Sequence, residues 1–133
     1  MIFIDAGAFV GQYITRDQYH RQAVAAWKRI FRTREPCLTS NFVLTEAFTF
    51  IARQAGNLFA AEKARNVYAS RQFVISRPQE EDEIAALEFF EKYADQKVSF
   101  TDCVSFVLMR KNKLRRVLTF DHHFALAGFI MFP

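Results

Sequence analysis

A chain of 133 residues, 51% apolar and with 16 phenylalanines, is large enough to bury one substantial core and too apolar to be disordered. Its net charge of +4 and pI near 9.3 permit a polyanionic partner without demanding one. Cys37 and Cys103 form no CxxC pair and no Cys/His cluster, which argues against a disulfide framework or structural zinc and fits a reducing cytoplasm. No apolar run is long enough to span a bilayer, so no membrane is expected, and the start lacks the basic region of a signal peptide. Residues 1–133 read as a single domain without repeats or linkers.

Met1-Ile2-Phe3-Ile4 is an unbroken apolar run, too short for a helix, and reads as a strand buried on both faces within a parallel sheet. It stops at Asp5, ahead of Ala6-Gly7-Ala8. Open α/β sheets bind ligands beyond the carboxyl ends of their strands, so Asp5 stands where such folds do chemistry. It would equally serve as an N-cap for the helix that follows. A short helix over 8–13 precedes a longer one from Thr15 or Asp17 to about Arg32. Tyr19, Ala23, Ala26, Trp27 and Ile30 fall on one face of the latter, with Arg21, Lys28, Arg29 and Arg32 mostly outside it.

Residues 37–39 form a second strand, and Ser40 or Asn41 caps a helix that runs to about Ala55 and ends at Gly56-Asn57. That helix is apolar nearly all round, which predicts deep packing, and Glu46 is its only charge before Arg53. A lone carboxylate in such surroundings is costly to bury unless an arginine, a proton or a metal ion meets it. A helix over 58–70 with Phe59, Ala60, Ala64, Val67 and Tyr68 inward leads to a third strand at 73–75. The amphipathic helix over 78–93 opens on Glu80-Glu81-Asp82-Glu83, a solvated first turn where the helix dipole favours negative charge.

Ser99-Phe100-Thr101-Asp102 is a capping box that starts the next helix, which continues through Met109. Capping holds Asp102 rigidly and is compatible with a second role. Residues 117–120 form a fourth buried strand that ends in Asp121, repeating the device of the opening. His122-His123-Phe124 starts a short helix, and 129–132 is a last strand at the sheet edge. The alternation specifies an α/β fold, a parallel sheet covered by helices on both faces. If the first and fourth strands are neighbours, Asp5 and Asp121 meet, and Glu46 and Asp102 complete a four-acid cluster.

Such a cluster opposes itself: two like charges about 4 Å apart repel by roughly 4 kcal/mol at an effective dielectric near 20. Protons or cations must neutralise it, and oxygen-only ligands select a hard divalent ion such as Mg²⁺ or Mn²⁺. Beside such an ion the natural chemistry is hydrolysis of a phosphodiester. Arg16, Arg53, Arg110 and Lys111 are candidates to hold a phosphate backbone, although no spacing singles them out. His122 and His123 read as helix-start or exposed residues, His20 as structural, and Cys103 as a small buried side chain. Thr119 could hydrogen-bond Asp121 or a metal-held water.

These motifs carry a family likeness. The segments Ile4-Asp5-Ala6-Gly7-Ala8-Phe9, Leu44-Thr45-Glu46-Ala47, Ser99-Phe100-Thr101-Asp102-Cys103 and Thr119-Phe120-Asp121-His122-His123-Phe124, followed by Gly128-Phe129, resemble in order and spacing those of the PIN-domain ribonucleases, and within them the VapC-type toxins. The resemblance implies a three-layer α/β/α domain with a five-stranded parallel sheet of order 3-2-1-4-5. It makes Asp5, Glu46, Asp102 and Asp121 the catalytic, metal-binding acids and implies Mg²⁺- or Mn²⁺-dependent endonucleolytic cleavage of RNA. It further implies a small antitoxin partner in a type II toxin–antitoxin pair and a homodimer. Gly7 departs from the pattern, since many relatives carry a hydroxyl residue there. Two other functions compete: a non-catalytic RNA- or protein-binding domain of this fold, which has no reason to keep four acids, and a phosphatase with Asp5 as nucleophile, which typically wants a second aspartate where Gly7 stands.

Overall fold

The computed structural model describes residues Met1–Pro133. The elements are β1 (Ile2–Ile4), α1 (Ala6–Tyr13), α2 (His20–Thr33), β2 (Cys37–Ser40), α3 (Asn41–Ala55), α4 (Asn57–Ala69), β3 (Phe73–Ser76), α5 (Glu80–Lys92), a 3₁₀ turn (Ala94–Gln96), α6 (Phe100–Lys111), β4 (Arg116–Leu118), α7 (His123–Leu126) and β5 (Ile130–Phe132). All strand pairs are parallel, in the order β3-β2-β1-β4-β5. The expected order is therefore observed. β1 is central, with Phe3 in register with Leu38 on one side and Val117 on the other. Its three residues are fully buried, as a strand covered on both faces requires.

The sheet turns back on itself at β1. The chain winds from β1 through α1 and α2 to β2, and through α3 and α4 to β3. It then crosses back through α5 and α6 to β4, on the other side of β1. Right-handed crossovers put helices from these two directions on opposite faces. In accord with this, α1 packs on α2 and α3, α3 on α4, and α5 on α6. A loop after β1 and a loop after β4 thus lie side by side at the carboxyl edge, the switch point where α/β sheets bind ligands.

Each face has an aromatic core. Phe9, Trp27 and Phe73 meet with centroids 5.6 to 5.9 Å apart, and Phe106 meets Phe124 edge-on at 5.1 Å. Complete burial of a side chain such as Phe9 or Phe106 contributes about 1.5–3 kcal/mol each. α1 and α2 approach closely because Gly11 has no side chain: an added Cβ would lie 2.7 Å from Ala23 Cβ. His20 Nδ1 donates to Gly11 O at 2.7 Å, and Trp27 Nε1 donates to Ala8 O at 3.0 Å, so His20 fastens the two helices.

Several expectations need correction. The second helix starts at His20, not at Thr15 or Asp17, because Asp17 Oδ2 accepts the Tyr19 backbone N–H at 2.9 Å and stabilises a turn instead. α3 is not deeply packed all round. Val43, Leu44, Ala47 and Ile51 are buried, whereas Thr45, Glu46, Thr49 and Phe50 are exposed, because α3 covers only one edge of the sheet. Tyr68 is exposed as well, at 54%, on the outer side of α4. β4 ends at Leu118, although the Thr119 N–H still donates to Phe132 O at 3.2 Å; the Thr119 hydroxyl accepts the Asp121 N–H at 3.0 Å and stabilises a turn that leaves Phe120 outside the strand.

Candidate active site

The ends of β1 and β4 and the starts of α3 and α6 frame an open cavity of about 510 Å³. Asp5, Glu46, Asp102 and Asp121 all line it, together with Gly7, Asp17, Gln18, Tyr19, Lys97, Ser99, Phe120, His122 and His123. The four acids that the sequence singled out come from four separate elements and converge here.

Asp5 occupies the N-cap position of α1, with extended backbone, yet its side chain makes no capping hydrogen bond. Instead Oδ2 accepts the Thr119 hydroxyl at 2.8 Å, while Oδ1 is buried with no donor. Thr119 is itself buried, and its oxygen also accepts the Asp121 N–H at 3.0 Å. One hydroxyl therefore locks the two strand ends together. The expected bond between Thr119 and Asp121 is formed, through the Asp121 backbone N–H, and Asp5 is the second partner of the hydroxyl. Asp102 closes the predicted capping box: it donates N–H to Ser99 Oγ at 3.0 Å, and its Oδ2 accepts the Ser99 N–H at 3.4 Å. The box fixes a carboxylate that still lines the cavity.

The electrostatics are those of an unneutralised nest. None of the four acids is ion-paired with a lysine or arginine, so Glu46 does not have the arginine that its position could have called for. Burial, then the Asp102 charge, push the Asp5 carboxyl up to about 8, against the pull of the Thr119 hydroxyl. Burial, then Asp121 and Glu46, raise Asp102 to about 6. Glu46 is raised by desolvation and by Asp121; since the residue as a whole is exposed, the Asp121 charge is the firmer cause. A cation would relieve all three shifts at once. The four carboxylates offer oxygen donors that suit a hard divalent ion, and the buried Asp5 Oδ1 has no partner; His122 and His123 add imidazole nitrogens beside Asp121, these three residues bringing donor atoms within 4.8 Å of one another.

Asp121 also has imidazoles beside it. Its Oδ1 accepts the His123 backbone N–H at 2.9 Å and lies 2.9 Å from His123 Nδ1 and 3.9 Å from His122 Nδ1. The ring contact of His123 is close but badly aligned, since Nδ1 makes no hydrogen bond. His122 is 80% exposed, whereas His123 is packed at the helix start, in line with the reading of both.

The basic residues proposed for phosphate binding are engaged elsewhere. Arg16 donates to Gln54, Arg110 lies over the Phe89 ring, Lys111 pairs with Asp82, and Arg53 lines a separate groove between α3 and α4. The cation at the cavity is Lys97, which sequence reasoning missed. It adopts a left-handed backbone (φ 55°) after the 3₁₀ turn, and its place just before the Ser99 capping box was the available signal. Tyr19 and Phe120 were also missed as site residues; Phe120 is adjacent to Asp121, but its partner Tyr19 is remote in sequence. Gly7 faces open space, with nothing within 4 Å of an added Cβ, so a side chain at this position would fit.

Comparison with known proteins agrees with this geometry. The PIN-domain family model matches residues 2–130. The 23S rRNA-specific endonuclease VapC20 of Mycobacterium tuberculosis is 30% identical over 131 residues, covering 98% of this chain and 96% of the relative. The crystal structure of VapC20, described as a sarcin–ricin loop cleaving toxin, superposes with a TM-score of 0.86 at 28% identity, covering 98% of this chain and 97% of that one. FitAcB from Neisseria gonorrhoeae shares the fold, with a TM-score of 0.68 at 19% identity over 100% of this chain and 97% of that one. Sequence and fold agree across nearly the whole length, and the chain belongs to the PIN-domain family, on its VapC-type branch.

Proposed function

We propose that this protein is a Mg²⁺- or Mn²⁺-dependent endoribonuclease that acts as the toxin of a type II toxin–antitoxin pair. The observation that carries the reading is the convergence of Asp5, Glu46, Asp102 and Asp121 on one cavity without a neutralising arginine or lysine. A binding module gains nothing from four mutually repelling carboxylates, and they would repel RNA. With a divalent ion held among them, the same residues attract a phosphate.

Asp5, Asp102 and Asp121 would be the principal ligands, with Glu46 at the more exposed rim. When bound, the ion supplies Lewis-acid polarisation of the scissile phosphate and activation of water. Thr119 orients Asp5 and steadies the Asp121 backbone, so that both carboxylates are held before substrate arrives. Ser99 does the same for Asp102. Lys97 is the residue placed to hold a flanking phosphate. The relative's substrate makes 23S rRNA the first RNA to test. A small antitoxin, a homodimeric assembly and a reducing cytoplasm that preserves the buried Cys37 and Cys103 thiols complete the reading.

The test is cleavage of ribosomal RNA by the purified protein with Mg²⁺ or Mn²⁺. Cleavage is expected to stop on chelation and in Asp5→Asn. Cutting that persists in either condition rejects the metal mechanism.

A further inference from the structure

Resting on the endoribonuclease reading, we propose that Tyr19 and Phe120 form a nucleobase platform that takes an unpaired base beside the scissile phosphate.

The two rings are stacked, with centroids 4.6 Å apart and an interplanar angle of 4°. The other stacked pairs, Trp27–Phe31 and Phe89–Tyr93, join residues one helical turn apart, as helix geometry produces by itself. Tyr19–Phe120 is the stacked pair built between remote parts of the chain. Both rings are partly exposed, and they are the two large apolar members of an otherwise polar and acidic cavity lining.

The platform is held in place relative to the acids. Phe120 lies between Thr119, which donates to Asp5, and Asp121. Tyr19 is anchored through its N–H to Asp17 Oδ2 at 2.9 Å and through its C=O to the Ala23 N–H at 2.8 Å. A surface already ordered in this way loses little conformational entropy when a ligand arrives.

The local charge explains why stacking is needed. The cavity lining has five carboxylates, counting Asp17, against one lysine, so an ion among the acids would draw in the scissile phosphate while the flanking phosphates find Lys97 alone. Every base has a neutral π-face, and aromatic stacking contributes binding that needs no cation and that sequence barely changes. A base inside an A-form duplex is paired and stacked on both sides, and cannot lie on a protein ring without being extruded.

The experiment uses a mixed-sequence oligoribonucleotide carrying a fluorescent purine analogue, alone and annealed to its complement, with Mg²⁺ or Mn²⁺. The parent protein is expected to quench the analogue and to cut the single strand in preference to the duplex. Tyr19→Leu and Phe120→Leu each remove a ring while keeping bulk, and are expected to raise KM about tenfold, with kcat within about twofold, and to lose the quenching. Tyr19→Phe is expected to recover the KM lost in Tyr19→Leu, which a merely structural role for the side chain's bulk would not require. Thermal melting of each variant separates lost stacking from lost folding, and the two positions serve as independent tests. Cleavage by the parent with unchanged KM in the leucine variants, or equal cutting of duplex, overturns the platform and leaves the nuclease reading intact. Ring-dependent quenching without cleavage overturns the nuclease reading and leaves the platform standing.

Discussion

The two edges of the sheet handle charge in opposite ways. At the amino ends of the strands, Glu35 receives Arg116 Nη1 at 2.7 Å and the Met1 ammonium at 3.8 Å. Gln72 closes the same edge by donating to the carbonyls of Ile30 and Glu35. At the carboxyl ends, Asp5, Glu46, Asp102 and Asp121 share a cavity with no ion pair to lysine or arginine. One edge is satisfied by its own residues; the other is left incomplete in a way that a cation completes. The contrast locates function where the protein does not meet its own electrostatic needs.

The comparison breaks most sharply at the four cavity acids. Loss of groups that merely orient metal ligands typically costs about 10–100-fold in affinity or activity, so Asp121→Asn, which alters a proposed ligand itself, is expected to lower RNA cleavage by more than about 100-fold. Glu35→Gln, at the opposite edge, is expected to leave the cleavage rate alone. Steady-state rates with Mg²⁺ check both, and equal losses in the two variants would erase the distinction between the edges.

Thr119→Val tests how the acidic edge is held. It deprives the buried Asp5 Oδ2 and the Asp121 N–H of their shared partner, and a destabilisation of about 2–3 kcal/mol is expected in denaturant unfolding. A neutral result would mean that the strand ends are held by the ladder alone.

The pH dependence of stability should differ in sign between the acidic nest and an ordinary paired carboxylate. The folded pKa of Asp5 is raised to about 8 from 3.8, so the folded state of the metal-free protein binds the proton more tightly than the unfolded chain. The Asp5 contribution is then full below about pH 4 and is lost as pH rises towards 8. Asp82 behaves oppositely. The Gln79 N–H and Lys111 hold its carboxyl below its usual range, so its contribution is present at neutral pH and lost as pH falls through the folded value. Melting curves of metal-free protein across pH are expected to show a decline towards pH 8 that Asp5→Asn removes and divalent cation flattens. A decline that survives Asp5→Asn assigns the effect to other groups.

The smallest effect is expected at the paired edge itself. Arg116 is 41% exposed, so truncation to Arg116→Met is expected to cost less than about 1 kcal/mol in denaturant unfolding. A larger loss would mean that this edge depends on charge as strongly as the other.

The strand segments and the four acids were legible because each is written locally. Apolar runs that stop at Asp5 and Asp121, a single carboxylate in an apolar helix at Glu46, and a capping box at Asp102 are short-range patterns, and the family likeness then supplied their adjacency. Periodicity misled at Tyr68 and around Phe50, because an amphipathic pattern cannot tell a helix clasped on both sides from one at the margin of a layer.

The sequence by itself determined which segments are strands, where carboxylates end or interrupt them, and that these acids needed a neutralising partner. Tertiary structure alone decided that the Thr119 hydroxyl joins Asp5 to the Asp121 backbone, that Lys97 rather than Arg16, Arg53, Arg110 or Lys111 lines the cavity, and that Tyr19 lies flat on Phe120. The physical reason is the range of the interactions. Propensity, capping and burial act within a few residues of chain, whereas a hydrogen bond or ring contact between remote loops exists only once the sheet has set their separation and orientation.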